Sequence, residues 1–233
     1  MTVQRFPGGW SDVSVWIDGR LLLAVANGPV LTCYLEGSPI WAQTAPEPLL
    51  YCRAAVQGDQ LLTVHQGQQS GKAWLVNDRI LRDLGPSRGQ NPVGIDVHEA
   101  YVVVPAFGRY DRIGLVPQHL SFPADVPPDS SQGFVDVKPD GTIWFLDVHR
   151  TVTRYGVTFT YPNERLYGPS LQVLVGQVDG GIAAACNGKV TLVIPSAGAF
   201  EPHVAVSPTG RVAICARTGQ GAAYVATTIQ ELS

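Results

Sequence analysis

A tight-turn signal that returns about every forty residues restricts what this chain can fold into more than any other feature. Its clearest copy lies in the stretch GFVDVKPDGTIWFLDVHRTVTRY, from Gly133 to Tyr155. An apolar-rich strand (Phe134 to Val137) leads into a Pro-Asp-Gly turn, a second strand (Thr142 to Leu146) and a third (Thr151 to Tyr155). Asp140-Gly141 marks a hairpin, because a short turn between twisted strands needs positive φ and Gly adopts it at little cost. The matching turns are Asp18-Gly19, Gly58-Asp59, His98-Glu99, Asp179-Gly180 and Thr209-Gly210, at successive intervals of 39, 41, 42, 39 and 30 residues.

An apolar strand precedes each turn: VSVWI, CRAAV, VGIDV, FVDV, LQVLVGQV and HVAV. Another follows: RLLLAV, QLLTVH, AYVVVP, TIWFLD, GIAAAC and RVAICA. A third appears as VLTCYL, KAWLV, RIGLV, TVTRY, KVTLVI and AAYVATT, and edge-like fourth segments as IWAQ, RILRD, HLSF and VTFTY. Four short strands per unit of about 40 residues is the pattern of a propeller blade. The expectation is an all-β, six-bladed β-propeller of short antiparallel four-stranded blades, filling residues 1–233 as a single domain. Two stacked sheets are the structural alternative. The short last interval leaves only PSAGAFEP for the outer strand of blade five, which reads as truncated. Thr2 to Phe6 is placed as the outer strand of blade six, closing the ring. No apolar period of 3.6 residues runs for a useful length, so helix should be negligible.

The Asp-Gly-Thr-x-Trp turn and closing aromatic of GFVDVKPDGTIWFLDVHRTVTRY resemble a tectonin-type propeller repeat. NPVGIDVHEAYVVVP and EPHVAVSPTGRVAICA look more like the blade openings of NHL and WD40 propellers. Trp144 has no aromatic equivalent after the other turns, so no single family pattern holds throughout. The resemblance implies a fold and leaves function open.

Composition narrows the classes of partner. Net charge is −3 and the basic residues are scattered, which gives no electrostatic case for nucleic acid. No run approaches the roughly 20 apolar residues of a membrane-spanning helix, and MTVQRFPGGWSD carries no secretory signal. No membrane insertion is expected, and the location expected is the cytoplasm or a virion. Cys33, Cys52, Cys186 and Cys215 each fall in an apolar segment without a Cys-x-x-Cys pair or a nearby His, and read as buried free thiols. The five histidines show no ligand spacing, and no nucleophile elbow or phosphate loop is present, so neither a metal nor a cofactor is expected.

In a propeller the second-to-third and blade-to-blade connections share one face. Long connections are read at Thr44-Leu49, Gln66-Gly71, Leu84-Pro92, Ala106-Asp111, Pro123-Gln132, Pro162-Ser170 and Pro195-Pro202, all on that face. Binding surfaces concentrate on such loops. Candidate binding residues there are Arg88, Gln90, Arg109, Tyr110, Asp111, His149, Arg150, Arg165 and Tyr167, a set rich in the Arg and Tyr that interfaces favour. Asp96 and Asp136 read as matching acids on consecutive inner strands, able to meet in the channel. The expected function is a non-enzymatic binding or assembly propeller that docks a protein or glycan partner, with a bacteriophage tail or tail-tip component as its specific form. A tectonin-like lectin, a cytoplasmic interaction scaffold, and a propeller glycoside hydrolase or lyase are the alternatives.

Overall fold

The computed structural model describes residues 1–57, 59–86, 94–96, 101–106, 109–113, 118–121, 133–137, 143–147 and 151–233, with side chains described over 1–56, 59–84 and 151–233. In chain order the strands are β1 (Gln4–Phe6), β2 (Trp10–Val15), β3 (Leu21–Asn27), β4 (Val30–Leu35), β5 (Ser38–Thr44), β6 (Leu49–Gln57), β7 (Gln60–Gly67), β8 (Lys72–Val76) and β9 (Leu81–Pro86). There follow β10 (Gly94–Asp96), β11 (Tyr101–Ala106), β12 (Arg109–Ile113), β13 (Gln118–Ser121), β14 (Gly133–Val137), β15 (Ile143–Asp147), β16 (Thr151–Arg154) and β17 (Val157–Tyr167). The last are β18 (Leu171–Val178), β19 (Gly181–Cys186), β20 (Lys189–Pro195), β21 (Phe200–Val206), β22 (Arg211–Thr218) and β23 (Gly221–Thr228). The helix α1 (Ile229–Leu232) is four residues long, fixed by a Thr228–Glu231 capping box. Among the described residues no helix is long and apolar enough to cross a membrane.

Among the described residues every strand pairing is antiparallel, and the sheets run β2-β3-β4-β5, β6-β7-β8-β9, β10-β11-β12-β13, β14-β15, β16-β17-β18-β19-β20 and β21-β22-β23-β1. The inner strands of the sheets are neighbours: β2 lies beside β6 and β21, β6 beside β10, β10 beside β14, and β17 beside β21. This is a β-propeller whose inner strands surround a central channel. Apolar layers between blades form the core. Val173, Val175, Ile182 and Ile194 of the fifth blade meet Val204, Val212, Ile214 and Val225 of the sixth. Leu22, Leu31 and Cys33 meet Leu49, Cys52 and Leu61 between the first and second. All four cysteines are buried free thiols.

The N-terminal segment closes the ring as expected: Gln4, Arg5 and Phe6 pair with Tyr224, Ala223 and Ala222. A second staple joins the same two blades on the other face. Both guanidinium nitrogens of Arg211 donate to the Glu36 carboxylate, which also accepts the Leu21 amide at 2.6 Å.

Blade five corrects the sequence-based register. LQVLVGQV is its second strand, not its first. The inner strand is the latter part of β17, where Asn163 to Tyr167 pair with Val175 to Leu171. Tyr167-Gly168-Pro169-Ser170-Leu171 is therefore the inner hairpin and Asp179-Gly180 the next turn, so β17, β18, β19 and β20 make a full set of strands. With Gly168 as the inner turn the last interval becomes 42 residues and the one before it 27, so the short spacing falls between blades four and five and not in blade five.

Candidate functional site

The chain repeats a short pattern where its inner strands begin: Trp10-Ser11-Asp12, Tyr51-Cys52-Arg53, Tyr161-Pro162-Asn163 and Glu201-Pro202-His203. Bulges between Leu50 and Arg53, Thr160 and Asn163, and Phe200 and His203 set the last three in register. The residue inside each bulge has positive φ: Tyr51 at 53°, Tyr161 at 51° and Glu201 at 53°. Such values are strained for a side chain with a Cβ, and strained bulges recur beside functional sites.

The third residue of each pattern forms a buried polar ring. Asp12, Arg53, Asn163 and His203 are 8%, 9%, 7% and 8% exposed, so each charge or amide is held out of bulk water. Asp12 clamps two chains at once, accepting the Val13 amide on Oδ1 and the Ala54 amide of the neighbouring blade on Oδ2, both at 2.8 Å. Arg53 donates to the Cys52 carbonyl and its Nη1 lies 3.1 Å from His203 Nε2. A guanidinium has only protons to offer, so Nε2 accepts and the imidazole proton sits on Nδ1. Nδ1 lies 3.6 Å from Asp12 Oδ1. Arg53 thereby links blades two and six, and the Asp12 carboxylate of blade one stands beside the imidazole without bonding to it.

Burial governs the protonation of this ring. It pushes the Asp12 carboxyl up to about 6, against the pull of Arg53 and the two amides. It also holds His203 well below the ordinary imidazole value, reinforced by Arg53 and Arg165.

The first residues of the pattern form a collar above the ring, at the mouth of the channel. Trp10 and Tyr51 are in tilted contact at 4.5 Å between ring centroids. The Arg217 guanidinium lies 4.1 Å over the Trp10 ring and 5.1 Å from that of Phe200. Glu201 completes the collar, its carboxyl pushed up to about 7 by burial although Arg53 and Arg217 pull it down. Hydrogen bonds between connections fix which face this is. Leu49 and Ala45, at the blade-to-blade junction, donate to Gly28 and Pro29 in the β3–β4 turn, and Gln68 of the β7–β8 turn donates to Pro48. Second-to-third turns and blade-to-blade connections do share a face, and the collar opens onto it.

The sequence-predicted site residues divide. Arg165 lies on inner strand β17, two residues below Asn163, and acts electrostatically on both Asp12 and His203. It belongs to the channel, not to a loop. Tyr167 ends the same strand and its hydroxyl approaches Gly210, at the tight-turn end, so its placement on the loop face is corrected. Arg109, Tyr110 and Asp111 are ladder residues of β12, paired with Ala106, Pro105 and Val104, and the span 106–111 is not a long loop. Asp96 pairs with Tyr101 as Val56 does with Leu61, whereas Asp136 pairs with Trp144 as Ala205 does with Ala213. These acids are thus one residue out of step rather than matched. Arg88, Gln90, His149 and Arg150 lie outside the described residues. Among the described connections on this face, 45–48, 68–71 and 196–199 span four residues each, so the collar and not loop length distinguishes it.

Asp12, Arg53, Asn163, His203 and the collar carry no signal in a repeat aligned on its turns. Aligned on strand starts, the alternation of an aromatic or acid with a polar residue two places on is visible in four units. Among the described residues no group of three His, Cys, Asp or Glu is arranged to hold a metal ion.

No family model matches the chain, and no curated protein sequence matches it. Solved structures do resemble it. A streptogramin B lyase structure superposes with a TM-score of 0.57 at 10% identity, covering 97% of this chain and 97% of that one. The β-propeller domain of Myceliophteria thermophila Cps50 (Swd1) superposes with a TM-score of 0.50 at 10% identity, covering 93% of this chain and 82% of that one. At such identities the likeness speaks for the propeller fold alone.

Proposed function

We propose that this chain is a binding propeller that docks a protein or glycan partner at the mouth of its channel, on the face where the inner strands begin. The observation that carries this is the collar: Trp10, Tyr51 and Tyr161 at equivalent strand positions, with Arg217 stacked on Trp10. Aromatic and arginine side chains that are held in place but still partly open to solvent lose little freedom when a partner covers them. In its most specific form the reading makes the chain a bacteriophage tail or tail-tip component, docked to a virion protein or a surface glycan. That form rests on the sequence, through its compact design and uneven repeats.

A hydrolase or lyase reading has one observation in its favour: Asp12 and Glu201 both lie in the field of Arg53. Paired-carboxylate chemistry needs both groups open to substrate. Both oxygens of Asp12 accept backbone amides, which suits a clamp better than an acid or base.

The test is partner capture from the native source with three proteins of matched thermal stability. Wild type and Arg109→Ala/Tyr110→Ala should retain the same partner, and Tyr51→Ala/Arg217→Ala should lose it. Retention by the collar variant together with loss by the β12 variant would move the docking surface away from the channel mouth.

A further inference from the structure

We propose that the channel mouth is a saccharide site, in which Glu201 and Asn163 accept hydrogen bonds from ligand hydroxyl groups and the surrounding aromatic collar packs against the sugar ring. This rests on the docking reading and names its ligand class.

Two acceptors line the channel mouth, one buried without a partner and one half-buried. Asn163 is 7% exposed and its Oδ1 has no hydrogen-bond partner among the described residues. A buried amide oxygen left this way carries a desolvation cost that a ligand donor would recover. Glu201 sits two residues before His203 on β21, in the layer above, and its carboxylate receives no hydrogen bond from any described residue. The backbone holds this acid at φ 53°, where Tyr51 and Tyr161 stand in the equivalent bulges. Among the described residues of the collar Glu201 is therefore the one acid, beside Trp10, Tyr51 and Tyr161.

The ligand class follows from what these groups can do. Two acceptors at different depths call for a ligand that donates more than one hydrogen bond. Arg53, Arg165 and Arg217 around them disfavour a cation. Aromatic faces beside a carboxylate and an amide suit a ring with apolar C–H faces and hydroxyl edges. A neutral sugar has both.

The protonation state supplies a second signature. A hydroxyl donates to a carboxylate more strongly than to a neutral acid, so the ligand binds the ionised form of Glu201. With its carboxyl titrating at about 7, affinity should rise about tenfold between pH 6 and pH 8. The groups that interact with it among the described residues are Tyr51 and Arg53 on β6 and Arg217 on β22, with the Asp12 and His203 of the ring in the layer below. Burial holds His203 neutral over this range. Asp12 titrates only at its lower end.

Saturation-transfer NMR with glucose, galactose, mannose, N-acetylglucosamine, lactose and maltose at millimolar concentration tests this. At least one sugar should show transfer from the wild type, weaker at pH 6 than at pH 8. Glu201→Gln should weaken binding about tenfold and remove the pH dependence. Asn163→Leu is the second variant, expected to weaken binding at both pH values alike. No transfer from any of the six sugars would overturn the proposal, as would a Glu201→Gln protein that binds like the wild type. Should Tyr51→Ala/Arg217→Ala lose a captured partner while no sugar binds, the docking surface stands and the saccharide assignment falls.

Discussion

Replacing Asp12 with Ala should destabilise the protein by about 3 kcal/mol, the range for emptying a buried charged hydrogen-bond acceptor. The substitution deprives the Ala54 amide of its acceptor and takes away the carboxylate nearest His203 Nδ1. In a chain of this size that corresponds to a fall of about 6–12 °C in melting temperature. Asp12→Asn keeps one oxygen for the amides and should lose less. Its comparison with wild type should also vary with pH. The folded Asp12 carboxyl titrates at about 6, above its unfolded value of 3.8, so the folded state holds the proton more tightly between those values. Wild-type stability relative to Asp12→Asn should therefore be fully present below about pH 4 and fall as pH rises through 6. Urea unfolding of the three proteins at pH 4.5, 6 and 7.5 measures both effects. A flat wild-type minus Asn difference would mean that Asp12 is open to water in the folded protein.

Gly221→Ala should be the most damaging small-residue substitution tested, costing about 3 kcal/mol or more through a strained φ and a steric clash. Gly221 opens β23 at φ +116°, and a Cβ there would lie 2.4 Å from the Phe6 carbonyl oxygen. The clash falls where β1 crosses onto β23, so the ring would be pried apart at its seam. Gly219, two residues earlier in the same turn, has nothing within 4 Å of a Cβ, and Gly219→Ala should stay within about 0.5 kcal/mol of wild type. Unfolding in urea with limited proteolysis of residues 1–8 would separate the two. Equal stability of both variants would show that the N-terminal strand contributes nothing to closure.

The architecture was legible because turn chemistry is local. Asp18-Gly19, Asp140-Gly141 and Thr209-Gly210 announce hairpins from a few residues each, and the spacing between them counts blades. Closure by Thr2 to Phe6 was legible too, since the last unit lacked an outer strand and the first had a spare one. Blade five misled for the same local reason. Tyr167-Gly168-Pro169-Ser170-Leu171 turns the chain as effectively as Asp179-Gly180, and turn signals alone do not say which comes first in a blade.

The site was mostly illegible. His203, Asp12 and Arg53 lie 41 to 191 residues apart in pairs and become neighbours only when the ring closes. Each looks like an ordinary strand residue by itself. Arg165 was identified as functional for its residue type and placed in a loop, because the bulge before Asn163 hides the start of an inner strand. The tandem Trp-x-Asp, Tyr-x-Arg, Tyr-x-Asn and Glu-x-His would have pointed to the channel mouth, had strand starts been compared instead of turns.

Hydrogen–deuterium exchange of the protein with and without its captured partner tests the central claim most directly. Protection concentrated at residues 9–11, 50–53, 199–203 and 216–220, with little change at 16–20, 154–157 and 207–211 on the opposite face, is the predicted result. Protection confined to those tight-turn segments, with the collar exchanging at its free rate, would contradict it.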